Sequence, residues 1–228
     1  MSSNKQSRGA CEFCNKLMTR GGLTKHFSSC LKYKEKVEAA NQKKGKEETI
    51  YHLQISDEWQ KDFWLHIEMK GSAKLIDLDD YLRAIWLECC GHLSQFSIGD
   101  WMQEEEIPMK TPVAKVFQLG MDLLHTYDFG TSSETRVKVI TQRKGKMLTK
   151  NPIYLMARNE IPKAICIDCE KDASWLCLEC LHEYEQPGFL CDDHRNKHPH
   201  DNYGEPIRLF NSPRMGMCGY DGPAEPPY

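Results

Sequence analysis

The sequence predicts an α+β fold: a central antiparallel sheet with one main helix, flanked by two small cysteine-rich modules. Three observations carry this expectation. Eight of the eleven cysteines crowd into residues 11–30 and 166–191. Between these clusters, short runs alternate apolar and polar side chains, the pattern of half-buried strands. One stretch, LIDLDDYLRAIWLECC, instead places Leu78, Leu82, Ile85 and Trp86 at helical spacing.

The first module, residues 1–48, reads Cys11-x2-Cys14-x11-His26-x3-Cys30. Thiolate and imidazole are the ligands that Zn2+ prefers, four to a closed structural site. Cys11 and Cys14 fit a tight knuckle, while His26 and Cys30, four apart, fit one face of a helix. Leu23 offers an apolar cover on one side and Phe13 or Leu17 on the other. So small a unit cannot bury enough surface to fold alone, so the metal must supply stability. The module resembles the Cys-Cys-His-Cys variant of the C2H2 zinc finger. Residues 1–48 carry 11 Lys+Arg against 5 Asp+Glu, and Lys16, Arg20, Lys25, Lys32, Lys34 and Lys36 are the candidates for contact with nucleic-acid phosphates or grooves. A single finger can equally bind protein, and the Lys-rich stretch can simply keep a helix solvated. The charged run KYKEKVEAANQKKGKEE reads as the end of a helix entering a linker, with Gly45 as a stop.

Residues 49–160 form the central domain. YHLQI, FWLHIEM, HLSQFSI, MDLLHTYDF, TRVKVITQR and NPIYLMAR read as strands, and TPVAKVFQLG as one or two helical turns closed by Gly120. Asp77 or Asp79 is the expected N-cap of the main helix and Gly91 its stop. Trp59, Trp64, Trp86 and Trp101 read as core or rim rather than a stacking platform. Cys89 and Cys90 read as small hydrophobes at the end of the helix.

The second module, residues 161–205, offers Cys166, Cys169, Cys177, Cys180, Cys191, His194, His198 and His200: too many ligands for one zinc and the right number for two. Two pairings are open. An interleaved one puts Cys166, Cys169, Cys191 and His194 on one ion and Cys177, Cys180, His198 and His200 on the other. A sequential one puts the first four cysteines together, with His182 as a spare ligand. Together with the finger, three Zn2+ ions are expected. The spacing, with Trp175 and Leu176 before the third cysteine, resembles a B-box-type zinc domain over about 40 residues, although the gap from Cys180 to Cys191 is longer than that family's. The resemblance implies a protein-interaction module. The 12 Asp+Glu against 6 Lys+Arg in residues 161–228 suit protein better than phosphate. The Gly/Pro-rich tail, residues 206–228, is expected to lack regular structure over its run NSPRMGMCGYDGPAEPPY. There Cys218 is either a free thiol or a spare ligand folding the tail onto the zinc module.

The run FWLHIEMKGSAKLIDLDDYLRAIWLECCGHLSQFSI, followed by LLHTYDFGTSSETRVKVI, resembles the plasmid pRiA4b ORF-3-like family over residues 50–140. The matching positions are Leu78, Leu82 and Trp86, then His92 and Phe96, then Tyr127, Asp128, Phe129 and Gly130. The resemblance implies an α+β fold with an antiparallel sheet and a loose link to mobile elements, and it names no reaction. The DFG run is not a kinase signature, because no Gly-rich loop or HRD-like loop accompanies it. No P-loop or dinucleotide fingerprint occurs. His92, His125 and Asp128 are the polar groups that would converge if the domain were catalytic, and Cys89 or Cys90 with His92 would be the only nucleophile pair. With no secretory h-region and no apolar run near 20 residues, a reducing compartment is expected, where paired cysteines hold metal rather than disulfides. The expectation is a cytoplasmic bacterial zinc-binding interaction protein that is not an enzyme. Its finger would engage nucleic acid or a partner, and its acidic module would engage protein. The competing readings are an enzyme with a site near His92 and Asp128, and a purely protein-protein adaptor.

Overall fold

The computed structural model describes residues 6–99, 105–226 and 228. Trp101, expected in the core or rim, lies outside the described residues. Strands β1 (Arg8–Cys11) and β2 (Leu17–Thr19) form the knuckle hairpin of the finger. Helix α1 (Arg20–His26) follows, its first turn capped by the Thr19 hydroxyl, which accepts from the Gly22 N–H. Cys30 is the N-cap of α2 (Leu31–Asn41). His26 and Cys30 therefore do not share one helix, as their spacing suggested. The chain breaks between them, and the two ligands approach from the end of one helix and the start of the next.

The central domain contributes β3 (Glu48–Asp57), β4 (Trp64–Lys70), α3 (Leu75–Leu82), β5 (Ser94–Ile98), β6 (Glu105–Ile107), β7 (Asp122–Tyr127), β8 (Ser133–Gly145) and β9 (Ile153–Asn159). A π-helical turn, Arg83–Leu87, extends α3. The helix starts earlier than expected, so neither aspartate is its N-cap. Asp77 lies in the first turn and accepts from the Lys74 N–H, while Asp79 turns inward to His125.

All nine strands join one antiparallel sheet in the order β2-β1-β9-β4-β3-β8-β7-β5-β6. The finger is thus an extension of the central sheet rather than a bead on a linker. β1 pairs with β9 through Gly9–Asn159, Ala10–Arg158 and Cys11–Ala157. Gly9 makes this possible, because a Cβ there would sit 2.0 Å from the Arg158 carbonyl oxygen. The main core packs α3 and its π-turn (Leu78, Leu82, Ile85, Trp86) onto one face of the sheet (Leu53, Ile55, Leu65, Ile67, Val137, Val139). On the other side, Leu23 and Phe27 of the finger pack with Trp64, Met156 and Ala157 of the central strands.

Two buried histidines sit beneath α1. His66 Nε2 lies 3.1 Å from the Arg20 carbonyl oxygen, which can only accept, so Nε2 carries the proton and the unprotonated Nδ1 accepts from His52 Nε2 at 2.9 Å. Burial pushes His52 down to about 4 and His66, also facing His52, to about 3. Both pKa values are lower folded than unfolded, so the unfolded chain binds more protons below pH 6.5. Their contribution is complete above 6.5 and is lost as pH falls toward 4, by roughly 1.4 kcal/mol per pH unit for each proton withheld. NMR titration should find both rings neutral at pH 5; a midpoint near 6.5 for either would contradict this.

The C-terminal module is a separate three-stranded sheet, β11-β10-β12, built from β10 (Trp175–Leu176), β11 (Phe189–Leu190) and β12 (Ile207–Arg208), with the short helix α4 (Leu178–His182). Beyond β12 the described residues of the tail have no regular structure, as expected, yet they are closely held. The Ser212 hydroxyl donates to the Trp86 carbonyl, and Asn211 exchanges hydrogen bonds with Asn159. Arg214, fully buried, donates to Asp128, to the Thr131 carbonyl and to Ser133. Among the described residues no helix is long and apolar enough to cross a membrane.

Candidate metal centres

A tetrahedral ion with Zn–S of about 2.3 Å and Zn–N of about 2.0 Å has S···S edges of about 3.8 Å and S···N edges of about 3.5 Å. Ligand separations can therefore be judged against this figure directly. In the finger, the knuckle holds Cys11 and Cys14, with Asn15 in the left-handed region at φ 58° to close the turn. The ligand atoms of Cys11, Cys14, His26 and Cys30 lie within 4.8 Å of one another, with Cys14 Sγ 3.3 Å from His26 Nε2.

The C-terminal module assembles its eight ligands in the interleaved grouping, not the sequential one. Cys166, Cys169, Cys191 and His194 converge, with Cys169–Cys191 at 3.8 Å and both Cys166 and Cys191 at 3.4 Å from His194 Nδ1. Cys177, Cys180, His198 and His200 form the second group, with Cys180 Sγ 3.2 Å from each imidazole and the two imidazoles 3.1 Å apart. His198 uses Nε2 for this and turns Nδ1 toward Asp168, 3.7 Å away, a carboxylate suited to orient a metal-bound ring. His182 is not a ligand: its Nε2 is 2.9 Å from the Gly216 carbonyl.

Burial and close neighbours shift these thiols in opposite directions. Burial, followed by the neighbouring thiol Cys177, pushes Cys180 up to about 11, and burial does the same to Cys11. Crowded buried thiolates repel one another, and a divalent ion between them removes that penalty. Burial also opposes ionisation of Cys166, but the N–H groups of Cys191 and Asp168 together with His194 outweigh it and bring the thiol down to about 6.

Of the six candidate nucleic-acid residues, Lys16, Lys25, Lys32, Lys34 and Lys36 are exposed and Arg20 is half-buried. Lys32 pairs with Glu35 at 3.0 Å. Of the polar groups that would have made a catalytic centre, His92 and Asp128 do converge, with His92 Nε2 3.4 Å from Asp128 Oδ2 and 2.9 Å from Cys90 Sγ, whereas His125 does not join them. His125 is fully buried and donates to Asp79 at 2.7 Å. Asp128 is held as well by Arg214 at 2.6 Å and by the Gly130 N–H, as a turn aspartate with φ 65°. The Arg214 guanidinium beside it holds its carboxyl down to about 2.

Sequence reasoning pairs Cys89 or Cys90 with His92, and Cys90 Sγ lies 2.9 Å from His92 Nε2, but it does not foresee Arg214 or the approach of Cys218 to Cys89, Cys90 and His92. The structure brings these three to Cys218, with all four ligand atoms within 4.8 Å. Cys218 therefore folds onto the central domain, not onto the C-terminal module. One signal was present: once twelve ligands are assigned in fours, the leftover Cys-Cys-x-His and Cys218 also number four.

No family model matches this chain, and no curated protein matches it. A solved structure, a protein of unknown function from Methanosarcina mazei Go1, is similar at 20% identity and a TM-score of 0.40, over 51% of this chain and 70% of that one.

Proposed function

We propose that the chain is a zinc-dependent interaction protein whose basic finger engages nucleic acid and whose acidic C-terminal module engages protein. In this reading its role is binding rather than catalysis, in a bacterial cytoplasm, with regulation or a mobile element as its context. The likeness of residues 50–140 to the pRiA4b ORF-3-like family supports that context. The observation that carries the proposal is the form of the three predicted clusters. Each is a four-ligand Cys/His set with, among the described residues, no carboxylate and no fifth side-chain donor, the donor chemistry of structural zinc rather than of an open catalytic site. Zinc then serves to hold two surfaces of opposite charge at the two ends of one chain.

For the finger, the supporting feature is the row of exposed lysines on and around α1 and α2. A central sheet anchors these helices through β1, so their cations would meet a phosphate backbone from a fixed frame. Binding to duplex DNA, measured by fluorescence anisotropy, should weaken steeply between 50 and 200 mM salt. Lys25→Gln with Lys34→Gln should lower the slope of log K against log salt by about 2, one for each phosphate no longer neutralised. Binding that is absent, or indifferent to salt and to both substitutions, would leave the finger to a protein partner.

A further inference from the structure

We propose that Cys89, Cys90, His92 and Cys218 hold a fourth zinc ion, which clamps the C-terminal tail onto the central domain. The site is separate from the three clusters of the finger and the C-terminal module. Its ligands come from the end of the helical segment, the entry to β5 and the tail, 126 positions away from His92 in sequence. Two sulfur–sulfur spacings match a tetrahedral edge, and two sulfur–nitrogen spacings are somewhat shorter than one. Cys89–Cys90 and Cys90–Cys218 are both 3.7 Å apart between sulfurs, and His92 Nε2 is 2.9 Å from Cys90 and 3.2 Å from Cys218. Three thiolates and one imidazole are a soft donor set that favours Zn2+ over hard cations such as Mg2+ or Ca2+.

The surroundings complete the case. Zn2+ with three thiolates and a neutral imidazole carries a net charge of about −1. The buried Arg214, shared with Asp128, offsets part of that charge, with Nη2 3.5 Å from Cys89 Sγ, while Asp128 Oδ2 itself lies 3.4 Å from His92 Nε2. The Tyr127 hydroxyl lies 3.7 Å from the same sulfur, and such outer partners orient metal-bound thiolates. Cys218 itself adopts φ 48°, uncommon for a non-glycine residue, between Gly216 at φ 82° and Gly219 at φ 67°. This bend turns its thiol toward the other three ligands.

Two of the four ligands, Cys90 and Cys218, are exposed, in contrast to the ligands of the finger and module, of which none is. The fourth ion is therefore the one a chelator reaches first, and its loss should loosen the tail around Arg214. The test uses the full chain, with zinc counted by native mass spectrometry. Cys218→Ser and, independently, Cys90→Ser should each carry one ion fewer than the parent. The difference reads this site alone, whatever total the other clusters reach. Trypsin should cleave after Arg214 at least tenfold faster in Cys218→Ser than in the parent. Equal zinc content in parent and variants, or a Cys90–Cys218 disulfide in the parent, would overturn the proposal.

Discussion

Cys180→Ser is expected to cost the chain one zinc ion and to unfold residues 161–205, while the central sheet stays intact. The reason is the poverty of the module's own core. Its buried cluster consists of Cys166, Cys177, Cys180, Leu190 and Cys191, with Cys169 and Trp175 against it, and Leu176 is the module's other buried leucine. Burying a leucine contributes about 1.5–3 kcal/mol. Structural zinc contributes on the order of 10 kcal/mol, so the ligands decide whether the module folds. Cys180 is buried and lies 3.2 Å from both imidazoles of its group, so its sulfur cannot be replaced from solvent. Hydrogen exchange should show amides in the module exchanging at least a hundredfold faster, with those of β3, β4 and β8 unchanged. A protected module in the variant would mean that zinc is not what folds it.

Glu68→Ala is expected to destabilise the chain by roughly 3–5 kcal/mol, the range for stranding one member of a buried ion pair. Glu68 lies on β4 and is almost fully buried. Arg143 on β8 grips it in a two-pronged contact, Nε to Oε1 at 2.7 Å and Nη2 to Oε2 at 2.8 Å. The Tyr33 hydroxyl on α2 donates to the same carboxylate at 2.5 Å. One carboxylate thus ties the finger's second helix to two strands of the central sheet. Tyr33→Phe removes one hydrogen bond and leaves the ion pair, so about 1–2 kcal/mol is expected. Urea unfolding of both variants checks the ranking. Equal costs would show that the finger's hydrogen bond, not the Glu68–Arg143 pair, dominates.

The tight metal groups and most central strands are legible in the sequence because their signals are local. Cys-x2-Cys pairs need only a turn, and the runs around Leu53, Ile67 and Val137 alternate at a period of two. What escapes depends on contacts distant in sequence. The pairing of β1 with β9 joins residues about 150 positions apart, and only the steric need for Gly9 hints at it. Asp128 is legible as a turn residue, but nothing near it in sequence announces Arg214 as its partner. Cys89 and Cys90 satisfy the helical spacing of core residues, and that local reading hides a cluster completed from the tail. Lys74 at the helix start and the break between His26 and Cys30 show the usual weakness at helix ends, where a single turn shifts the cap.

Native mass spectrometry of the Cys218→Ser chain tests the central claim most directly, because it removes the fourth cluster and leaves the three that define the account. Three zinc ions are predicted, one of which should be lost in each of the added substitutions Cys14→Ser, Cys166→Ser and Cys180→Ser. A chain carrying no zinc or one ion, with its cysteines joined as disulfides, would contradict the account.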